Sequence, residues 1–192
     1  YQTHAVFDIF EANSDGDDLI IGGKRIPMLR QQKPKQPGYP NLCLADFVRP
    51  ISSGIKDKAG VFATSVDNEL QKAYLNDYYL RMMSQVIADR LAEGTAEKMH
   101  EEVRRKHWGY APNEQLTMKQ THMADLINMK GIGIRLTQSG MMTPHASVSG
   151  LMFAHPKSQY FELGRIGDDQ LHDYARRRGL PVELIRKFLK TV

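Results

Sequence analysis

The stretch from residue 131 to residue 178 constrains the fold of this chain more than any other part of it. It contains three short runs that favour strands and ends in an amphipathic run that favours a helix. Gly179 is well placed as the C′ residue of that helix, and Pro181 opens a last helix. Strands that follow one another without intervening helices predict an antiparallel sheet. The predicted elements are strands 132–136, 147–153 and 160–166, a turn at 156–158, and helices 168–178 and 182–190.

The N-terminal part of the chain predicts a hairpin. Residues 5–12 favour a strand, the turn sequence NSDG follows at 13–16, and residues 18–21 return as a second strand. Further strands are predicted at 42–47 and 60–64, with an exposed connection at 33–40 between the hairpin and them. The pattern predicts an α+β fold, in which one domain (1–192) combines a twisted antiparallel sheet with hairpins and packed helices. Because the chain begins at Tyr1 rather than Met, we expect it to be a piece of a longer protein.

The longest predicted helical region runs over residues 68–107. Apolar residues recur there at spacings of three and four, which predicts one buried helix face. Gly94 predicts either a break into two helices or a close packing contact. Another helix is predicted over 117–130. The predicted buried face comprises Leu75, Tyr79, Met82, Val86, Ile87, Leu91, Met99 and Val103.

Composition excludes several classes of protein. Hydrophobic residues make up 41% and charged residues 25%, and no apolar run is long enough to span a bilayer. We therefore predict a cytoplasmic protein with no membrane partner. The single cysteine, Cys43, lies between leucines and is interpreted as a buried thiol rather than a nucleophile. The net charge of +4 favours anionic partners without selecting one, and it leaves a nucleic-acid binder as a minor alternative that we do not favour.

No motif in the sequence specifies a reaction. His100 and His107 share a helix face but have no third metal ligand at a suitable spacing, so we predict no metal site. We also predict no catalytic residue, because nothing marks an activated nucleophile. His145 and His155 are candidates to line a site. The small residues at 146–150 (ASVSG) permit close approach either of a flat ligand or of a neighbouring strand.

Seven blocks of residues occur in the order found in one known family. Together they resemble the activation (reactivation) domain of cobalamin-dependent methionine synthase over nearly the full chain. The blocks are 11–18 (EANS with GDD), 41–47 (NLCLADF), 88–93 (ADRLAE), 107–114 (HWGYAPNE), 133–137 (GIRLT), 146–150 (ASVSG) and 173–179 (DYARRRG).

The resemblance implies a function and its partners. Such a domain binds S-adenosylmethionine beside the cobalamin held by a neighbouring module. Flavodoxin or a flavin reductase supplies an electron, and the ligand's methyl group returns cob(II)alamin to methylcobalamin so that homocysteine methylation resumes. The domain is thus part of a methyltransferase whose metal and homocysteine chemistry lie elsewhere. The alternative is a non-catalytic module that docks a cobalamin protein or reductase without binding the ligand.

The resemblance also implies roles for particular residues. An aromatic pair would contact the adenine or sulfonium group, and an acidic residue would contact a cationic or hydroxyl-bearing end of the ligand. One further acidic residue corresponds to a contact with the cobalamin module. The implied ligand contacts are Tyr160, Phe161, Glu93, Ala146, Ser147 and Gly150, and the implied partner contact is Asp89.

One segment of the family pattern has no counterpart in this sequence. Family members carry R-P-A-P-G-Y-P followed by C-P-x-H, and its arginine helps to hold the ligand. Here residues 113–116 lead almost directly to 120–122 and Gly131. The similar PGYP at 37–40 precedes the 41–47 block, so the role is not transferred to it. Either the protein carries the segment as an additional loop, or the chain is a divergent relative that binds the ligand weakly.

Overall fold

The computed structural model describes residues 2–34, 36–67, 69–109, 129–137 and 141–189. The described strands are β1 (Thr3–Asp15), β2 (Asp18–Ile21), β3 (Lys24–Pro27), β4 (Asp57–Val66), β5 (Arg135–Leu136), β6 (Met142–Thr143) and β7 (Ser147–Phe153). The helices are α1 (Glu69–Lys72), α2 (Tyr78–Glu102), α3 (Asp168–Arg178) and α4 (Val182–Leu189). Single 3₁₀ turns occur at Leu44–Phe47, Ile51–Ser53 and Met129–Ile132, and a π-helical turn extends α2 over Val103–His107.

Five strands form one sheet in the order β3-β2-β1-β4-β7, and β5 pairs with β6 separately. The pairs β1–β2, β2–β3 and β5–β6 are antiparallel. The predicted α+β class with an antiparallel sheet is confirmed. The chain divides into two compact units, of which the first comprises Tyr1–Ile9 and Gly60–Met152 and the second Phe10–Ala59 and Phe153–Val192.

The core of the first unit is built on the small residues of α2. Ser84, Ala88, Ala92 and Ala96 recur every four residues and are buried, with Phe62 of β4 and Val148 of β7 in the same core. The hydroxyl of Thr64 in β4 donates to the carbonyl of Ala92 at 3.0 Å. Small side chains allow this close approach between strand and helix.

The predicted buried face of α2 is therefore wrong over most of its length. Met99 and Val103 are buried, but the other members of the predicted set are exposed. Alanine and serine at i, i+4 spacing allow this face of the helix to pack closely against the core. Large apolar side chains are therefore not needed on the buried face. The described members that lie exposed are Leu75, Tyr79, Met82, Val86, Ile87 and Leu91.

Gly94 neither breaks α2 nor makes a close contact. The helix continues through it from Tyr78 to Glu102, and a Cβ atom built on Gly94 would have no atom of the described residues within 4 Å. Both predictions for this glycine are wrong.

The second unit contains the predicted hairpin and the C-terminal helix pair. Asp15 pairs with Asp18 across a two-residue turn, where Gly16 has a φ of +60°. The helix α3 ends at Gly179, whose φ of +65° and backbone N–H to the carbonyls of Ala175 and Arg176 fit the predicted cap. Leu171 and Ala175 of α3 form a small core with Ile185 of α4. Leu184 and Phe188 of α4 are exposed.

Three strand predictions need correction. Residues 42–47 are not a strand: Leu44–Phe47 form a 3₁₀ turn, which the Asp46 carboxylate closes by accepting the backbone N–H of Cys43 at 2.8 Å. Residues 160–166 are not a strand, and the strand predicted over 132–136 shortens to β5. Most of the helix predicted over 117–130 lies outside the described residues. Within the described residues, no helix is long and apolar enough to cross a membrane.

Candidate ligand-binding site

The helix α2 carries both acidic residues to which the family resemblance assigns a contact, Glu93 with the ligand and Asp89 with the partner module. Asp89 and Glu93 are four residues apart, so their side chains project from the same side of the helix on consecutive turns. This arrangement of the two side chains follows from the helix backbone and does not require a bound ligand. Both side chains are partly exposed.

Asp89 belongs to a polar cluster with Gln85 and His145. The Gln85 amide Nε2 donates to Asp89 Oδ1 at 2.7 Å and lies 3.2 Å from His145 Nδ1. His145 Nδ1 is 3.6 Å from the same Asp89 oxygen, a contact that becomes an ion pair only when the imidazole is protonated. The cluster brings His145, in the segment that precedes β7, next to Asp89 of α2.

Glu93 pairs with Arg90 one turn earlier on α2. The Arg90 guanidinium donates to Glu93 Oε2, and the arginine is far more exposed than the glutamate. An exposed i, i+3 pair of this kind is weak. A cationic ligand group can therefore replace Arg90 at little cost.

The small residues of 146–150 lie at the start of β7. Ala146 is buried in the first unit's core, and its carbonyl accepts the backbone N–H of Val66 at 3.0 Å. The Ser147 hydroxyl donates to the carbonyl of Pro144 at 2.7 Å. Gly150 is buried as well. For Ala146 the structure shows close strand and helix packing, and the ligand contacts assigned to these three residues stay predictions.

The aromatic pair Tyr160 and Phe161 belongs to the second unit. Tyr160 is 60% exposed and Phe161 is half-buried. The backbone that follows them is anchored, since the carbonyl of Glu162 accepts from Gln31 Nε2 at 3.1 Å and that of Leu163 accepts from Gln32 N at 2.7 Å. The structure thus groups five predicted site residues in the first unit and holds the aromatic pair in the second.

The histidines considered as site residues differ in their surroundings. His155 packs its ring against Phe47 in the second unit, with centroids 5.7 Å apart. His100 is largely buried edge-on against Phe62 at 4.3 Å. Burial, reinforced by the nearby charge of Arg104, lowers the pKa of His100 to about 4. Among the described residues, no group of three or more His, Cys, Asp or Glu side chains is placed to hold a metal ion.

The comparisons with known proteins agree on one family. The sequence matches the family described as "Vitamin B12 dependent methionine synthase, activation domain" over residues 1–122 and 117–179. A solved structure, the crystal structure of the MetH reactivation domain bound to AdoHcy, is 37% identical with a TM-score of 0.82. It covers 98% of this chain, and the match spans 69% of that chain.

The chain belongs to the methionine synthase activation domain family. The resemblance seen in the sequence is thereby confirmed. The two family matches meet at 117–122, which is where the arginine-bearing segment of the family pattern has no counterpart.

In the second unit of this activation domain, residues of several family blocks form ion pairs that stabilise the fold. Asp17 and Asp46 both accept from Arg30, with distances of 2.6 and 2.8 Å to its Nη2. Asp18 of the same GDD block is paired with Arg25 and Arg177. Burial opposes ionisation of Asp46, but the hydrogen bonds from Arg30 and from Cys43 N–H outweigh it and lower its pKa. Sequence reasoning found the blocks but not the pairs of Arg30, because Arg30 lies outside every block and carries no local signal.

The interpretation of Cys43 as a buried core thiol is confirmed. Its side chain is fully buried, and burial raises the pKa of the thiol to about 11. At neutral pH the group is therefore protonated, and the reactive thiolate is scarce.

Proposed function

We propose that this activation domain binds S-adenosylmethionine and presents it for the reductive methylation of cob(II)alamin held by a neighbouring module. The observation that carries the proposal is the match over 98% of the chain to a reactivation domain bound to AdoHcy. AdoHcy is what S-adenosylmethionine becomes once its methyl group has been transferred. In this proposal the ligand supplies the methyl group, and flavodoxin or a flavin reductase supplies the electron.

The residues present fit such a ligand. S-Adenosylmethionine carries a cationic ammonium group, a cationic sulfonium and a flat adenine. The Glu93 carboxylate, held by one exposed arginine, can accept hydrogen bonds from the ammonium or from ribose hydroxyls. The exposed ring of Tyr160 offers a face to the adenine or the sulfonium. We propose Glu93, Tyr160, Phe161, Ala146, Ser147 and Gly150 as the ligand contacts, and Asp89 as a contact with the cobalamin module.

Spectroscopy tests the proposal directly. The chain is mixed with the cobalamin-binding module in the cob(II)alamin state, reduced flavodoxin and S-adenosylmethionine. We expect the absorbance of cob(II)alamin to give way to that of methylcobalamin only when the chain and the ligand are both present. Methylation at the same rate without the chain would contradict the proposal.

A second candidate function rests on the missing segment. Without the family's arginine, the chain would serve as a docking module for a cobalamin protein or a reductase and would not bind the ligand. Binding of the cobalamin module or flavodoxin with no binding of S-adenosylmethionine would favour this candidate. Intact mass spectrometry of the purified protein decides whether the segment exists, since a mass equal to that of the 192 residues excludes an additional loop.

A further inference from the structure

The ion pair of Arg90 with Glu93 presents both signs of charge on one turn of α2. The Arg90 side chain is 74% exposed and that of Glu93 is 28% exposed. Arg90 donates from Nη1 to Glu93 Oε2, which occupies one of the five N–H donors of the guanidinium. Within the described part of the chain neither side chain makes a further ion pair, so other donors of Arg90 and the second oxygen of Glu93 remain open to a ligand.

The ion pairs near the C-terminal end of α2 are arranged differently. Glu101 accepts from Lys98 at 2.9 Å and from Arg105 at 2.6 Å, so one carboxylate is shared by two cations. Its charge is already offset by neighbours on the helix surface. In the pair of Arg90 and Glu93, each charge has one partner among the described residues, which leaves both able to bind a further group of opposite sign.

The two charges together are complementary to the amino-acid end of S-adenosylmethionine. An α-amino acid carries an ammonium group and a carboxylate on the same carbon atom, and residues three apart on a helix are neighbours on its surface. The Glu93 carboxylate can accept from the ammonium group, while the planar guanidinium of Arg90 can bind the carboxylate through two parallel N–H donors. AdoHcy, which is bound to the similar reactivation domain, carries the same amino-acid end.

We propose that Arg90 binds the α-carboxylate of S-adenosylmethionine while Glu93 binds its ammonium group, so that Arg90 determines the specificity for ligands with an intact amino-acid end. This inference rests on the proposed function and adds Arg90 to its ligand contacts. The ligand's ammonium group takes the place of Arg90 at Glu93 Oε2, and the released guanidinium turns to the ligand's carboxylate. Without a cation there, the carboxylates of the ligand and of Glu93 would lie close together and repel each other.

A purely intrahelical role for Arg90 predicts the opposite effect on binding. If Arg90 served only as the counterion of Glu93, its removal would free the carboxylate, and a cationic ligand would bind equally well or more tightly. If Arg90 binds the ligand's carboxylate, its removal weakens binding, and it does so only for ligands that carry this carboxylate. The direction of the change in affinity therefore separates the two roles.

Calorimetric titration of the chain with two ligands tests the inference. One is S-adenosylmethionine, and the other is its decarboxylated analogue, which keeps the amine, the sulfonium and the adenosine. We expect Arg90→Gln to weaken binding of S-adenosylmethionine by about tenfold or more and to bind the analogue at least as tightly as the unmodified chain does. Arg81→Gln is the matched control and should leave both affinities unchanged, because Arg81 is an exposed arginine of α2 that lies about 180° around the helix from Arg90.

The outcomes separate this inference from the proposed function. Equal or tighter binding of S-adenosylmethionine by Arg90→Gln, or an equal loss of affinity for both ligands, would overturn the role of Arg90 and leave the proposed function standing. Absence of S-adenosylmethionine binding by the unmodified chain would overturn both.

Discussion

Arg177 of α3 pairs with Asp18 of β2, although the two residues are 159 positions apart in the chain. Their side chains are only 12% and 6% exposed. Arg177 also donates from Nη2 to the carbonyl of Met28 at 2.9 Å and from Nε to Asp173 at 2.7 Å. One guanidinium therefore ties the last long helix of the second unit to its hairpin.

Replacing Arg177 by Met should destabilise the chain by about 3 kcal/mol, because it leaves Asp18 buried with Arg25 as its remaining cation. Urea unfolding measures the change in the free energy of unfolding. Arg176→Met is the matched control, since Arg176 is exposed and pairs only at the surface with Asp173, and it should cost less than about 0.5 kcal/mol. Equal decreases in the free energy of unfolding for the two variants would show that the buried pair contributes no more to stability than the surface pair does.

His100 should make the stability of the chain depend on pH. The pKa of His100 is about 4 in the folded chain and about 6.5 when the chain is unfolded. The unfolded chain therefore binds the proton more readily, and stability falls as pH drops from about 6.5 to about 4, by up to about 3 kcal/mol.

Replacing His100 by Phe should remove this part of the acid sensitivity, which urea unfolding at a series of pH values between 4 and 7 measures. His172→Phe, at an exposed position of α3, should leave the pH dependence as it is. If the free energy of unfolding of His100→Phe changed with pH in the same way as that of the unmodified chain, His100 would not be the source of the acid sensitivity.

Two glycines of the first unit should respond oppositely to alanine. A Cβ atom on Gly60 of β4 would lie 2.7 Å from Met152 Cε and 3.1 Å from Met152 Cβ, so Gly60→Ala should destabilise by about 1–3 kcal/mol. The Cβ atom of Gly94→Ala would meet no atom of the described part of the chain within 4 Å, so this variant should stabilise α2 by about 0.5–1 kcal/mol. Thermal unfolding of both variants distinguishes the signs, and a stabilising Gly60→Ala would refute the close contact.

Local signals explain which parts of the fold could be predicted. The strands β2 and β7 and the helix α3 have the predicted bounds, because alternation, turn residues and the cap at Gly179 act within a few positions. The buried face of α2 was missed because Ala88 and Ala92 give no strong hydrophobic signal, while the conspicuous Tyr79 and Met82 belong to a surface. Residues 42–47 favoured a strand by composition, but one hydrogen bond from Cys43 N to Asp46 turned the backbone.

The prediction of the candidate site came mainly from the family resemblance, because no motif in the residues themselves indicates a ligand or a reaction. Glu93 and Tyr160 have no neighbouring motif that marks them as ligand contacts. The ion pairs of Arg30 and Arg177 could not be predicted, because contacts between residues far apart in the sequence produce no periodic pattern in it. What the structure adds is that Asp89 and Glu93 lie on consecutive turns of α2, and that the apolar residues which precede them on the helix are exposed rather than buried.

Calorimetric titration with S-adenosylmethionine is the most direct test of the central claim. We expect saturable binding by the unmodified chain and binding at least about tenfold weaker in Glu93→Gln and Tyr160→Ala, which remove a charged acceptor and an aromatic face. Glu97→Gln makes the same chemical change one turn further along α2 and should bind like the unmodified chain. Absence of heat at millimolar ligand, or equal affinities for Glu93→Gln and Glu97→Gln, would contradict the proposed ligand site.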